Sequence, residues 1–275
     1  MTRVTRVRGV LPYLAIAVGV LALLMPFTWM LSVAVGRPQD LAADPYHWFR
    51  LPLQLHNFWD SLTAAPFGRY YLNTALMSIA TTLGVLLTSS LAGFGLAKYR
   101  FRGRRAVFLL VLATLMVPFQ TLLIPLYLIV RDLGWLDTYA GIVVPFAVQG
   151  FGIFLMRQYI LSVPDQLLDA ARLDGAGELR IYRDIVLPLS KPALAALGIF
   201  TFLSSWNLFL WPLVVASSPE HWTIQVGIAD FYQRYGPQPE LLMAATTLAM
   251  LPVVALFITL RRHFAGGAAA TRLPR

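Results

Sequence analysis

The chain is 275 residues long, 58% hydrophobic and only 13% charged, with a mean hydropathy of +0.66, whereas soluble domains carry about 25% charged residues; this composition excludes an ordinary water-soluble fold. The absence of cysteine rules out disulfides and thiolate metal sites. A formal charge of +9 raises nucleic acid as a partner, but the placement of the charges along the chain argues against it.

Six stretches contain no Asp, Glu, Lys or Arg: 9–36, 70–97, 106–130, 138–156, 192–219 and 241–260. Each is near or above the roughly 20 residues that a helix needs to cross about 30 Å of hydrocarbon. One such run is compatible with a buried soluble helix; six predict an all-α polytopic membrane protein with six transmembrane helices. The first run follows Arg3, Arg6 and Arg8, and Ser32-Val33-Ala34 loosely resembles a signal cleavage site. It is longer than the roughly 7–15 apolar residues of a signal peptide, so a retained first helix over Val10–Ala34, with a possible kink at Pro26, is expected.

The segment 35–69 is rich in Pro, Asp, Trp and His and too polar to span. Short interfacial helices are expected around Tyr46–Phe49 and His56–Leu62, with the tryptophans at headgroup level. Helix two, over Tyr71–Leu96, carries Ser89, Ser90, Gly93 and Gly95, small residues that permit close helix approach in lipid. A basic turn, Lys98–Arg105, follows. Helix three is expected over Val107–Ile129, interrupted by Pro118 and Pro125, and helix four over Tyr139–Ile160, interrupted by Pro145. Gln120 and Gln149 place amides at a depth where unsatisfied polar groups are costly. They either bond neighbouring helices or line a polar path. Helix five covers Pro192–Val215 and contains Ser204-Ser205-Trp206-Asn207. An external loop, Ala216–Glu240, precedes helix six, Leu241–Leu260, and a Gly- and Ala-rich tail from Ala265 that would be flexible alone.

In this six-span arrangement Arg3, Arg6, Arg8, the Lys98–Arg105 cluster, Arg157, Arg172, Arg180, Arg183, Lys191, Arg261, Arg262, Arg272 and Arg275 fall on one side. Arg37, Arg50, Arg69, Arg131 and Arg234 fall on the other. That asymmetry is the positive-inside pattern and predicts cytoplasmic termini.

One charged island interrupts the apolar chain: Ser162–Pro188. Ser162 can cap a helix, Pro164 suits its first turn, and Asp165 complements its positive end. Leu167, Leu168 and Ala171 share an apolar flank over Asp165–Leu173. Asp174-Gly175 offers a stop, with Gly175 able to adopt the left-handed conformation, and Gly177 permits a second bend. A second helix is expected from Glu178, with an Arg180–Asp184 ion pair, an Ile181/Ile185 ridge and Pro188 marking the bend back toward the membrane. A helix–turn–helix of this kind either docks a partner, with apolar residues at the centre and charge at the rim, or lies on the headgroups.

At these residues the chain resembles the inner-membrane permease subunits of bacterial ABC importers. Their cytoplasmic loop opens Glu-Ala-Ala, has a glycine four residues after the second alanine, and closes Ile-x-Leu-Pro. Here the counterparts are Asp169-Ala170-Ala171, Gly175 and Ile185-Val186-Leu187-Pro188, with Asp169 keeping the charge on a shorter arm. Leu173-Asp174-Gly175-Ala176, Ser205-Trp206-Asn207 with Phe209-Leu210-Trp211-Pro212, and Lys98–Gly103 are similar to the carbohydrate-uptake branch, and within it to the maltose-type six-helix permease. The similarity covers 70–260, with a weaker match in helix one. Leu208 stands where that branch often has aspartate, and the tail Gly266–Arg275 replaces a glycine-rich ending with a terminal Lys-Gly.

The resemblance implies the type I ABC importer permease fold, as a single permease domain over 1–275, with 35–69 as an external loop and 162–188 as the cytoplasmic coupling loop. Asp169, Ala170, Ala171, Asp174, Gly175, Ile185, Leu187 and Pro188 would meet the ATPase. Gln120, Gln149, Trp206 and Asn207 would flank a translocation path. The implied partners are a second homologous permease, two ATP-binding subunits that hold ATP and Mg2+, an external solute-binding protein, and a sugar or polyol. The setting would be a bacterial inner membrane, and this chain would bind no cofactor.

Two rival classes weigh less. A self-sufficient secondary transporter or channel places ionisable groups within its spans, and these uncharged cores have none. A membrane enzyme would need a catalytic or metal constellation. His47, His56, His221 and His263 have no metal-ligand spacing on a membrane helix, and the chain has no Gly-rich Lys-Ser/Thr phosphate loop.

Overall fold

In the computed structural model, which describes residues 4–44, 48, 51–235 and 238–269, every regular element among the described residues is helical. In chain order these are α1 (Val4–Ala34), α2 (Pro38–Ala43), α3 (His56–Ala64), α4 (Phe67–Lys98), α5 (Arg104–Thr114), α6 (Phe119–Asp132), α7 (Tyr139–Val143), α8 (Gly150–Leu161), α9 (Asp165–Leu173), α10 (Glu178–Ile181), α11 (Leu187–Leu189), α12 (Lys191–Trp206), α13 (Leu210–Val215), α14 (Ile224–Tyr235) and α15 (Pro239–Ala269). Three stretches are long and apolar enough to cross a membrane as single helices: Pro12–Ala34, Phe67–Lys98 and Pro239–Thr259. Three bent pairs bring the count to six: α5 with α6, α7 with α8, and the helical run 178–189 with α12. The all-α polytopic expectation holds.

Two of the bends fall at prolines expected to interrupt helices three and four, Pro118 and Pro145. Helix three breaks after Thr114 and restarts at Phe119, turning through 101°. Pro118 explains the place: a residue before proline is driven out of the helical region, and Pro118 itself is extended, with φ −62° and ψ 134°. Pro125, expected to interrupt as well, lies inside α6. Helix four turns by 42° after a short 3-10 turn, Val144–Phe146, that contains Pro145. Pro26 lies within the unbroken α1. Helix five is α12 and α13, separated at Asn207–Phe209.

Two further corrections concern the ends. The expected loop 216–240 contains α14, an amphipathic helix. Helix six continues through Gly266 and Gly267 to Ala269 rather than giving way at Ala265. The interfacial helix expected at Tyr46–Phe49 falls outside the described residues except for Trp48, whereas that at His56 is present as α3.

The chain divides into two bodies, Met1–Gly68 with Ile228–Leu251, and Arg69–Gly227 with Pro252–Arg275. In the first, Asn57 is buried and its amide donates to the carbonyls of Ala34 and Gly36, both at 2.9 Å. It thereby satisfies carbonyls at and just past the C-terminal end of α1. Phe67 packs on Phe231 with centroids 5.7 Å apart. The α1 side chains from Tyr13 to Met25 are largely exposed and apolar, which is stable where the solvent is hydrocarbon.

The second body has two cores. One joins Val85, Phe94, Met156, Ile160, Leu168, Ile181, Tyr182, Val186 and Leu197. The other gathers Met77, Val130, Ile142, Trp211 and Val215. Trp211 is fully buried, and its indole N–H donates to Gly141 O at 3.0 Å, which removes the cost of burying that donor. The first core fixes the charged island.

Candidate functional site

The charged island folds as two helices around one tight turn. α9 covers Asp165–Leu173, as the sequence predicts. Its N-cap is Pro164, and Ser162 instead terminates α8, its hydroxyl donating to Tyr159 O at 2.7 Å. At the other end, Gly175 takes φ +80°. Ala176 N–H donates to Ala171 O at 2.9 Å and Gly175 N–H to Arg172 O at 3.0 Å. That pair of bonds is a Schellman motif, in which a left-handed residue lets two orphan carbonyls be capped. Ala171, Gly175 and Ala176 are therefore one structural unit.

The second helix passes through Pro188 rather than bending there. α10 leads into a π-helical turn, Tyr182–Val186, in which Leu187 N–H reaches back to Tyr182 O, and α11 follows. Proline lacks an N–H and crowds the carbonyl four residues earlier, here Asp184. The turn widens to i→i+5 bonding just before Pro188, and such π turns often mark functional segments. The bend comes at Ser190, where the direction changes by 77°.

Leu168 and Ile181 are buried, and Ala171, Ile185 and Leu187 pack against the same core. Leu167, expected on that flank, is exposed. Tyr182 reaches α4, its hydroxyl 2.7 Å from Ser90 Oγ. Lys98 Nζ donates to Val163 O at 2.5 Å and to Asp165 Oδ1 at 2.6 Å. The Tyr99 hydroxyl donates to Glu178, which also accepts from Arg172 Nε at 2.9 Å, and Arg172 Nη1 holds Asp169 at 2.9 Å. Arg172 and Tyr99 together hold the Glu178 carboxyl below its ordinary range. Burial, reinforced by Glu178, pushes the Tyr99 phenol up to about 12. Lys98 draws the Asp165 carboxyl down. The expected Arg180–Asp184 pair is present at 3.6 Å, with Arg183 closer at 2.7 Å. Sequence reasoning missed Tyr99, Arg172 and Glu178 as a group; only the tertiary fold brings position 99 to position 178.

The outward face carries two nearly free leucines, Leu173 at 89% exposure and Leu179 at 76%, flanking the turn. Asp169, Ala170, Asp174, Gly175 and Pro188 are also exposed. Between the helices lies a groove of about 280 Å³ lined by Ala171, Asp174, Ala176, Arg180, Ile181, Asp184 and Ile185. An apolar floor beneath a charged rim has the composition of a docking surface.

The four path candidates do not form one cluster. Gln120 is exposed on α6. Gln149 precedes α8 at its N-cap position without a side-chain capping bond and lines a cavity of about 470 Å³ formed where the two bent pairs break, together with Thr114, Phe119, Phe146 and Phe151. A second, smaller cavity joins Gln149 to Thr201 and Ser204. Trp206 is buried and packs on Phe202 and Tyr71. Asn207 terminates α12, donating to Leu203 O at 2.8 Å, with Gln225 Nε2 3.4 Å from its Oδ1. Leu208 packs on the Trp211 core. Among the described residues no group of His, Cys, Asp or Glu is placed to hold a metal ion.

Residues 84–268 match the family model described as the binding-protein-dependent transport system inner membrane component. The chain is 41% identical over 216 residues to the arabinooligosaccharides transport system permease protein AraQ of Halalkalibacterium halodurans, covering 78% of this chain and 77% of that protein. It is 34% identical over 268 residues to the sn-glycerol-3-phosphate transport system permease protein UgpE of Yersinia enterocolitica, covering 93% and 94% respectively. Its fold superposes with a TM-score of 0.85, at 24% identity, on a chain of a bacterial ABC transporter involved in the import of the acidic polysaccharide alginate, covering 96% of this chain and 99% of that one. None of these relatives carries maltose in its name. With the family match spanning the Gly175 turn and the bent spans alike, the chain belongs to the binding-protein-dependent transport system inner membrane components, the permease subunits of ABC importers.

Proposed function

We propose that this chain forms half of the pore of an ATP-driven importer for a sugar or related polyol, and that the Ser162–Pro188 hairpin couples it to the ATPase. As a permease subunit it is not itself catalytic; ATP hydrolysis belongs to a separate subunit of such systems. The observation that carries the reading is the hairpin: two exposed leucines and an apolar groove, on helices anchored by a buried core that includes residues of α4, α8 and α12.

A second, homologous permease completes the pore, and two ATP-binding subunits with ATP and Mg2+ grip this hairpin and its counterpart. Asp169, Ala170, Ala171, Asp174, Gly175, Ile185, Leu187 and Pro188 form the contact. The hairpin and both termini lie in the cytoplasm, while 35–69 and 216–240 meet an external solute-binding protein. ATP binding favours the outward-facing state and hydrolysis the return, because the ATPase dimer binds the two states with different affinity. Gln120, Gln149 and Asn207 supply polar groups to the path, with Trp206 packed behind it. The six-span count and the Trp206-Asn207 run support the six-helix, maltose-type reading within the sugar and polyol branch. The names of the arabinooligosaccharide and glycerol-3-phosphate permeases bracket the cargo class.

The test replaces Gly175 by Asp, or Ala171 by a bulky residue. Uptake is lost while the protein still inserts; unchanged uptake in both variants overturns the docking role. A thermal-shift screen of the cognate binding protein against oligosaccharides and polyol phosphates identifies the cargo. Ion-gradient-driven uptake by the purified chain alone would instead establish the rival reading, a self-sufficient transporter or channel.

A further inference from the structure

We propose that Ser90, Lys98 and Tyr99 are positioning residues that lock the hairpin to α4, so that α4 moves with the docked hairpin as one body. The proposal rests on the reading of Ser162–Pro188 as the ATPase dock. Besides its buried core, the hairpin is joined to the pore by its covalent continuations, at the entry into α8 and at the exit into α12. The exit turns through 77° at Ser190, whose buried hydroxyl has no hydrogen-bond partner, and a sharp bend transmits force poorly along its axis.

The attachments to α4 are of a different kind. Lys98 has only 5% of its side chain exposed, while Asp165 is 77% exposed. A buried ammonium is costly unless it is paired, so Lys98 holds both Val163 O and Asp165 at the entry to α9. Tyr99 bonds Glu178 at the start of α10, and Glu178 passes the link through Arg172 to Asp169 on α9. Tyr182 in the π turn meets Ser90 in a buried hydroxyl pair. The Phe94 ring lies between the rings of Tyr99 and Tyr182, with centroids 5.2 and 5.8 Å away. Three separate attachments, at the entry to α9, the start of α10 and the π turn, restrain rotation as well as translation. Exposed ion pairs alone restrain little; here the lysine is buried and the aromatic rings are packed.

The cysteine-free chain allows paired spin labels at exposed Leu87 on α4 and exposed Gln166 on α9, read in the complex purified with its ATP-binding subunits. The probe is Mg-ATP with orthovanadate. The native tethers give one narrow label distance that trapping leaves unchanged. In Tyr99→Phe/Glu178→Gln, which preserves side-chain volume, and separately in Lys98→Met, trapping shifts or broadens it. A native distance that itself shifts on trapping overturns the proposal, as does a distance in both variants as narrow as the parent's. Gly175→Asp separates the two readings. If that variant loses its ATPase subunits while the tether variants behave like the parent, only the tether is refuted. If it retains them and responds to trapping, the docking reading falls and the tether proposal with it.

Discussion

Gly152 on α8 lies so close to Ser89 on α4 that a Cβ built on it would fall 2.3 Å from the serine hydroxyl oxygen and 3.1 Å from its Cβ. Gly93 meets Met156 in the same way, at 2.8 Å. Two membrane helices thus approach through residues without bulk, which is how packing is gained where lipid offers no hydrophobic drive. Gly152→Ala is expected to destabilise the protein by about 1–3 kcal/mol through overpacking, and Ser89→Gly in the same chain to recover most of the loss. Thermal unfolding in detergent measures both. Additive losses in the double variant would show that the two positions do not share the strain.

Gly175 has open space around its missing side chain but a φ of +80°. Any L-residue there carries left-handed strain of about 1–2 kcal/mol, least for asparagine. Gly175→Asn is therefore expected to retain the Schellman turn and to stay closest to the parent in stability, with Gly175→Val the worst. Hydrogen exchange at the Ala176 amide, which donates to Ala171 O, reads the turn directly.

The hairpin attachment has a defined pH window. Glu178 and Asp165 are depressed below their ordinary 4.5 and 3.8 by Arg172 and Lys98. Their contribution is present above those values and is lost as pH falls through the lowered ones. Tyr99 is raised from 10.0 to about 12, so its contribution is complete below pH 10 and is lost as pH rises toward 12. Protease sensitivity of 162–188 should be flat between about pH 5 and 9.5 and rise on both sides. Glu178→Gln should weaken the acid limb, and Tyr99→Phe should remove the phenol's share of the alkaline one.

Asp137 also stands in the left-handed region, with φ +54°. Its carboxylate accepts from Ser218 N–H at 3.0 Å and faces His221 Nδ1 at 3.3 Å. Burial pushes its pKa up, but Ser218 and His221 together more than offset that and hold it low. Asp137→Ala forfeits the acceptor and adds backbone strain, for an expected loss of about 1–3 kcal/mol. Asp137→Asn keeps the tolerance for this conformation and an acceptor for Ser218, so it should fall between. Thermal melts of the three proteins decide the order.

Much of the hairpin was legible. The Asp165–Leu173 boundaries, the left-handed Gly175 and the Arg180–Asp184 pair follow from local rules of helix start, stop and spacing. Ser162 was misassigned because a serine ahead of a proline can cap the following helix or end the preceding one, and both are local solutions. Pro188 is expected to mark the bend back toward the membrane. The π turn over Tyr182–Val186 instead carries the helix past it, with Tyr182 held in the core against Phe94 and Ser90.

By itself the sequence determined the number of apolar lengths, the class of fold and the place of the hairpin, because these depend on transfer of side chains from water and on backbone preferences within a few residues. Only the tertiary structure decided how far helices three and four bend, by 101° and 42°, that the hairpin meets α12 at 77°, that 224–235 is helical, and that Lys98, Tyr99 and Ser90 hold the hairpin. Hydrophobic length is blind to direction. Proline marks locally where a helix can break, but the angle taken there depends on packing between elements far apart in sequence.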